Sequence, residues 1–218
     1  MTTIRISEMA LLTMVLNGVE AYAVKNRNKG NTGKKHSKLE VIGHMYGYYR
    51  KSEDDECYFI DYISIDTTAL QKQDSVSEFE EARDLKRDII QSFWTHLEYL
   101  GTFHTHPYNN LQEVKDNKGY YASPADKESM LDCREKVALI LTIASLGKKS
   151  NRGVRFRRGH SNCFEFTLGK LRMWLIAYAV SENEVGQIRC TDNATEMVVL
   201  DCPVLNGLTW EYNSPEII

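Results

Sequence analysis

The chain has 218 residues, 42% of them apolar and 26% charged, and a formal net charge of −3. That length allows one substantial core, and the composition is ordinary for a globular protein. The acidic balance argues against a dedicated nucleic-acid binder, which carries a basic excess, and no apolar run reaches the length of a membrane span.

In chain order, the first expected element is a helix from Ser7 to about Val24, with Ser7 as N-cap. Its apolar stretch Met9–Val19 follows Glu8 and has no small-residue cleavage site after it, so an amphipathic helix is expected rather than a signal peptide. The run KNRNKGNTGKKHSK reads as a polar, basic connector. Leu39–Tyr49 and Cys57–Asp66 are strand-like, with a charged turn between them. Ser77–Leu100 has the strongest helical periodicity, carried by Phe79, Ala82, Leu85, Ile89, Ile90, Phe93 and Leu97, and Ser77 with Glu80 fits a capping box. Gly101–His106 reads as a short strand ended by Pro107, and Tyr108–Ala122 as a long polar loop. Ser123 opens another helix with Pro124 at its first position. Val137–Ser145 is expected as a buried strand, Phe164–Phe166 and Met173–Val180 as an antiparallel pair turning through Gly169, and Met197–Leu200 as one more strand. This order describes an α/β (α+β) protein, a central mixed β-sheet flanked by helices. A single domain over 1–218 is expected, with elaboration after about residue 146.

Five cysteines, Cys57, Cys133, Cys163, Cys190 and Cys202, are odd in number and contain no CxxC pair. Neither a disulfide framework nor a cysteine zinc site is expected, and a cytoplasmic location suits them.

Three pieces carry candidate chemistry. In His104-Thr105-His106, residues two apart on a strand point to one face, so both imidazoles enter one space, as paired metal ligation requires. Alone, HxH is weak, because exposed strands carry such pairs by chance. Ser123-Pro124-Ala125-Asp126 is what a helix start looks like in any case, but an acid in a first helical turn is also held in a fixed place. Glu40 opens the strand EVIGHMYG, where Gly43 and Gly47 would let a neighbouring backbone come close. His44 shares a strand face with Glu40 by period two and is expected to be packed rather than functional. His36, His96 and His160 have no evident partner in the sequence. Tyr46, Tyr48 and Tyr49 read as core and sheet surface, and Arg157-Arg158 as solvated.

EVIGHMYG, GTFHTHP and SPAD occur in that order, with a helix between the first and second pieces. Jointly they resemble the JAB/MPN (JAMM) zinc metalloprotease family, over roughly Ser7 to Ser145. The spacer between His106 and Ser123 is longer than is usual there. Tyr-Asn-Asn after Pro107, in place of Ser-Gly, sets the chain apart from the RadC-like branch. The resemblance implies the JAB/MPN (cytidine deaminase-like) fold, with Zn2+ on His104, His106 and Asp126 and an open fourth position. It implies Glu40 as general acid/base and Ser123 as hydrogen-bond donor to the oxyanion. It also implies a peptidase or isopeptidase cleaving after the C-terminal tail of a ubiquitin-like protein, in deconjugation or precursor processing. Stand-alone bacterial JAB deconjugases, some of them in antiviral defence, are the nearest type. An inactive MPN scaffold and a zinc hydrolase of small peptides or cell-wall fragments remain as alternatives. Neither nucleic acid nor membrane is expected as a partner, and the oligomeric state is open. The loop Tyr108–Ala122 is expected to help hold the substrate tail, with a mobile insertion as the alternative.

Overall fold

The computed structural model describes residues 1–27, 35–53, 55–133, 135–150, 153–156, 160–182, 188–191 and 198–206. The chain starts with strand β1 (Thr2–Ile6), too short to show in the periodicity, and turns at Ser7 into helix α1 (Glu8–Ala23). Ser7 caps α1 as expected, its Oγ accepting from the Ala10 amide at 3.2 Å. Short strands β2 (Asn26–Arg27) and β3 (Lys35–His36) pair within the expected basic connector, of which residues 28–34 lie outside the described residues.

Strands β4 (Ile42–Lys51) and β5 (Glu56–Ile65) are antiparallel neighbours. β4 begins two residues after Glu40, which therefore precedes the strand instead of opening it. The strand glycines do allow close approach: a Cβ on Gly47 would lie 1.7 Å from the Phe59 carbonyl oxygen. Tyr48 stacks on Phe59 and Tyr49 on Tyr58, while Tyr46 is fully buried. A small hairpin, β6 (Leu70–Gln71) and β7 (Val76–Ser77), follows.

Helix α2 (Glu80–Phe93) departs from expectation. Ser77 ends β7, the N-cap is Phe79 with no side-chain hydrogen bond, and no residue of α2 is buried. Leu85 is 62% exposed and Phe93 78%. The reason lies in the contacts of its polar side chains. Arg83 Nη1 donates to Glu78 Oε1 at 2.6 Å and Lys86 Nζ to the Ile65 carbonyl at 2.8 Å. Periodicity reports an apolar stripe, but not which side of the helix meets the sheet.

Strand β8 (Glu98–Tyr108) starts earlier than expected and runs through Pro107. Thr105 N–H donates to Val41 O at 3.0 Å. Pro107 faces the same side two residues later, past the last pairing with β4, so its missing N–H costs no ladder bond. The expected polar loop after β8 is instead folded. Helix α3 (Leu111–Asp116) is capped by Asn110 Oδ1, which accepts from the Gln112 and Glu113 amides, and Val114 is 1% exposed. Helix α4 (Pro124–Asp132) and strand β9 (Val137–Ser145) then fall where the sequence placed them. β10 (Val154–Phe156), β11 (Cys163–Leu168), β12 (Leu171–Glu182), β13 (Ile188–Thr191) and β14 (Val198–Asp201) complete the elements. Gly169, at φ +59°, sits in the β11–β12 turn as anticipated. Arg157-Arg158 lie outside the described residues.

Ten strands form one mixed sheet in the order β10-β11-β12-β9-β8-β4-β5-β1-β14, with β13 alongside β12. β8 runs parallel to β9, and β1 parallel to both β5 and β14. Alternation along β9 divides the core. Leu139, Leu141 and Ile143 pack with Ala10, Leu11 and Met14 of α1, while Ala138, Ile140 and Ala144 pack with Val114, Ala122 and Met130. The centre of the sheet is thus covered on both faces, which explains why β9 reads as an apolar run interrupted before Ser145 only by Thr142. No helix of the described residues is long and apolar enough to cross a membrane.

Candidate metal centre

His104 and His106 lie on β8 in register with Ile140 and Thr142 of β9, so both side chains project on the α3–α4 side of the sheet. Thr105, between them, points the other way, and its methyl would touch a Cβ placed on Gly18 of α1. Thr105 has a second task. Its Oγ1 accepts from the Val41 amide at 2.9 Å, and its own N–H donates to Val41 O. This clamp fixes the backbone next to Glu40, whose N–H donates to Lys72 O of the β6–β7 hairpin at 2.8 Å.

Asp126 is set by α4. Ser123 Oγ accepts from Asp126 N–H at 3.1 Å, and Ser123 N–H donates to Asp126 Oδ2 at 2.6 Å, a reciprocal capping box. The start of this helix is held in turn by Tyr178, whose Oη accepts from the Ala122 amide at 2.8 Å. Helix start and ligand position are therefore one and the same arrangement.

These elements bring three donors together. His104 Nε2 and His106 Nε2 are 3.0 Å apart, His104 Nε2 is 3.2 Å from Asp126 Oδ1, and His106 Nε2 is 3.3 Å from Asp126 Oδ2. Ligand atoms about 2.05 Å from a tetrahedral zinc stand about 3.3 Å from one another. The spacing found here fits that without rearrangement. His106 Nδ1 is 3.3 Å from the Gly119 carbonyl, which can only accept. A proton on Nδ1 would donate to it, and with a cation bound in place of the Nε2 proton the Nε2 lone pair would face that cation, an orientation that metal-binding histidines use. The Gly119 carbonyl also accepts from Thr142 Oγ1 at 2.7 Å.

The electrostatics agree with a cation site. Burial would raise the Asp126 carboxyl, but hydrogen bonds to His104 and His106 overcome it and hold Asp126 well below the usual carboxylate range. Burial, with His106 close by, lowers His104. Burial also opposes the charged form of His106, but Asp126 and Glu40 together raise it. Glu40, 8% exposed, is pushed up to about 7, chiefly by burial and further by the charges of Asp126 and Asp74.

Glu40, His104, His106, Ser123 and Asp126 line one cleft of about 600 Å³. All five residues singled out in the sequence are brought together. Sequence reasoning missed Gln73–Val76 of the β6–β7 hairpin, which form part of its wall, and Thr102 and Glu135, which extend it. A two-residue strand pair leaves no periodicity to find. His44 does not line the cleft. His160 packs on Tyr121, with ring centroids 5.7 Å apart. No family model matches the chain, and no curated protein matches it.

Proposed function

We propose that this chain is a zinc-dependent peptidase or isopeptidase of the JAB/MPN (JAMM) type, with that family's fold. Its substrate is the amide bond after the C-terminal tail of a ubiquitin-like protein, cleaved in the cytoplasm. The observation that carries the reading is the convergence of two Nε2 atoms and one carboxylate within 3.0–3.3 Å, beside a buried glutamate in the same cleft. Zinc would be held by His104, His106 and Asp126, and would supply Lewis acidity at the substrate amide and to water.

The chain's own residues divide the remaining work. Glu40, with a carboxyl near neutrality, can take a proton from water at one step and return it to the leaving amine at the next. Ser123 Oγ uses a lone pair on the Asp126 amide, so its hydroxyl proton stays available to a substrate carbonyl oxygen. The Gly119 carbonyl holds the His106 tautomer. The Tyr108–Ala122 segment is filled by α3 and its own apolar packing, so the β6–β7 hairpin is the better wall for an extended tail.

The test compares variants on a ubiquitin-like protein bearing a fluorogenic amide at its C-terminal carboxyl. Glu40→Gln should retain the metal of this centre and lose about 10²–10⁴-fold in kcat. His106→Ala and Asp126→Ala should lose both. Near-normal turnover in Glu40→Gln would remove Glu40 from the chemistry. Turnover surviving in Asp126→Ala would overturn the reading.

A further inference from the structure

His44, Asp66 and Glu78 form a second polar cluster, behind the Thr102 and Glu135 end of the cleft and not lining it. His44 is 0% exposed on β4, Asp66 is 1% exposed at the end of β5, and the Glu78 side chain is 17% exposed just before α2. Glu78 Oε2 lies 3.6 Å from His44 Nδ1, and Asp66 Oδ2 lies 3.9 Å from His44 Nε2, too far for hydrogen bonds. Both ring nitrogens and both of these oxygens are buried without a hydrogen-bond partner. Four unpartnered atoms in one pocket are costly for a native fold.

The other carboxylate oxygens are firmly held. Asp66 Oδ1 accepts from Thr68 N–H at 2.8 Å, Thr68 Oγ1 at 2.6 Å and Ala69 N–H at 3.1 Å. Glu78 Oε1 accepts from Arg83 at 2.6 Å. Each carboxylate is thus oriented through one oxygen and presents the other to His44, as metal-binding carboxylates do. Arg83 and Lys86 are the cations at hand, set against the carboxylates of Glu78 and Asp66.

We infer that His44, Asp66 and Glu78 bind a divalent transition-metal cation as a structural site, distinct from the one in the cleft. One imidazole nitrogen and one oxygen of each carboxylate lie within 4.8 Å of one another. Zinc-bound ligands stand about 3.3 Å apart, so the site must contract. Glu78, partly exposed and outside regular structure, is the arm that can close. An imidazole with two oxygens favours zinc and its neighbours over magnesium or calcium, which prefer all-oxygen shells. Asp66 and Glu78 also bracket the segment that holds the β6–β7 hairpin, whose Gln73–Val76 wall the cleft. A cation here pins the base of that hairpin and the foot of α2, a helix without a buried side chain of its own.

The experiment counts Zn2+ bound to chelator-treated full-length protein, by calorimetric titration and elemental analysis after gel filtration. The wild type should bind two equivalents. His106→Ala/Asp126→Ala should keep one, Asp66→Asn/Glu78→Gln should keep one, and the combined variant none. Zinc should also raise the melting temperature of His106→Ala/Asp126→Ala, but not of the combined variant. If Asp66→Asn/Glu78→Gln fails to melt cooperatively, Glu78→Gln alone serves. No zinc bound by His106→Ala/Asp126→Ala would overturn the second site and leave the cleft site standing. An equivalent kept there and lost with Glu78→Gln supports it, even if the cleft binds nothing. Wild-type stoichiometry in a folded Glu78→Gln would also overturn it.

Discussion

At the scale of single residues, Glu40 is costly to the fold. A carboxyl raised from 4.5 to about 7 keeps a proton in the folded chain that the unfolded chain has released. Between those values the folded state binds more protons, so stability falls as pH rises through the window, and the loss is complete above about pH 7. The shift corresponds to about 3 kcal/mol as an order of magnitude. Metal-free Glu40→Gln should therefore melt higher than metal-free wild type at pH 8. The gap should close towards pH 4.5, and melting curves across pH check it. An equal gap at both ends would mean the effect is packing, not charge. Thr105 acts through geometry instead. Thr105→Val removes the acceptor of the Val41 amide, a buried donor, at a cost of about 1–3 kcal/mol. It should lower kcat while the cleft metal stays, because both histidines keep their strand and the backbone beside Glu40 loses the side-chain half of its clamp. Metal content and kcat measured on one preparation test this, and an unchanged kcat would show that this half of the clamp is dispensable.

At the scale of elements, α2 makes the sharpest test. A stripe of Leu85, Ile89 and Phe93 reads as a core face, yet these residues are 62%, 45% and 78% exposed. Leu85→Gln and Phe93→Gln should each change stability by no more than about 0.5 kcal/mol, the range of surface substitutions. Denaturant melts showing a loss of about 2–5 kcal/mol would place this face in a core. The same helix marks where the sequence stops being legible. Elements whose signal is local were readable: α1 by its Ser7 cap, α4 by Ser123 and Pro124, β9 by its mostly apolar run. The five cleft residues were readable only jointly, through the resemblance that EVIGHMYG, GTFHTHP and SPAD carry in that order; HxH on a strand or an acid in a first helical turn says where a side chain points, but not that it meets the others. What stayed hidden depends on partners distant in sequence. Thr105 looks like a β-branched spacer until Val41 is placed against it. Ser77 looks like a cap until β6 pairs with β7. Tyr108–Ala122 looks like loop because α3 is only a turn and a half long and buries one residue, Val114.

At the scale of the whole molecule, the motif-bearing part of the chain and the rest share one sheet. The pieces that resemble a metalloprotease end near Ser145, but β12 then pairs with β9 along Leu171–Ala179, and β14 lies parallel to β1. Phe164, Leu175, Leu200 and Leu205 sit in the same apolar cluster as Ile4, Leu139 and Leu141. A chain ending after Leu146 would turn β9, buried on both faces, into a bare edge strand and uncover Tyr178's place at the start of α4. Asp126 would then lose the support that aims it at His104 and His106. The expected outcome is that residues 1–146 alone show no cooperative melt and hold no zinc at the cleft, even though every candidate ligand is present. Circular dichroism on heating and elemental analysis check both. A cooperative transition with the cleft metal retained would mean that the first 146 residues hold the core by themselves, and that the later strands only decorate it.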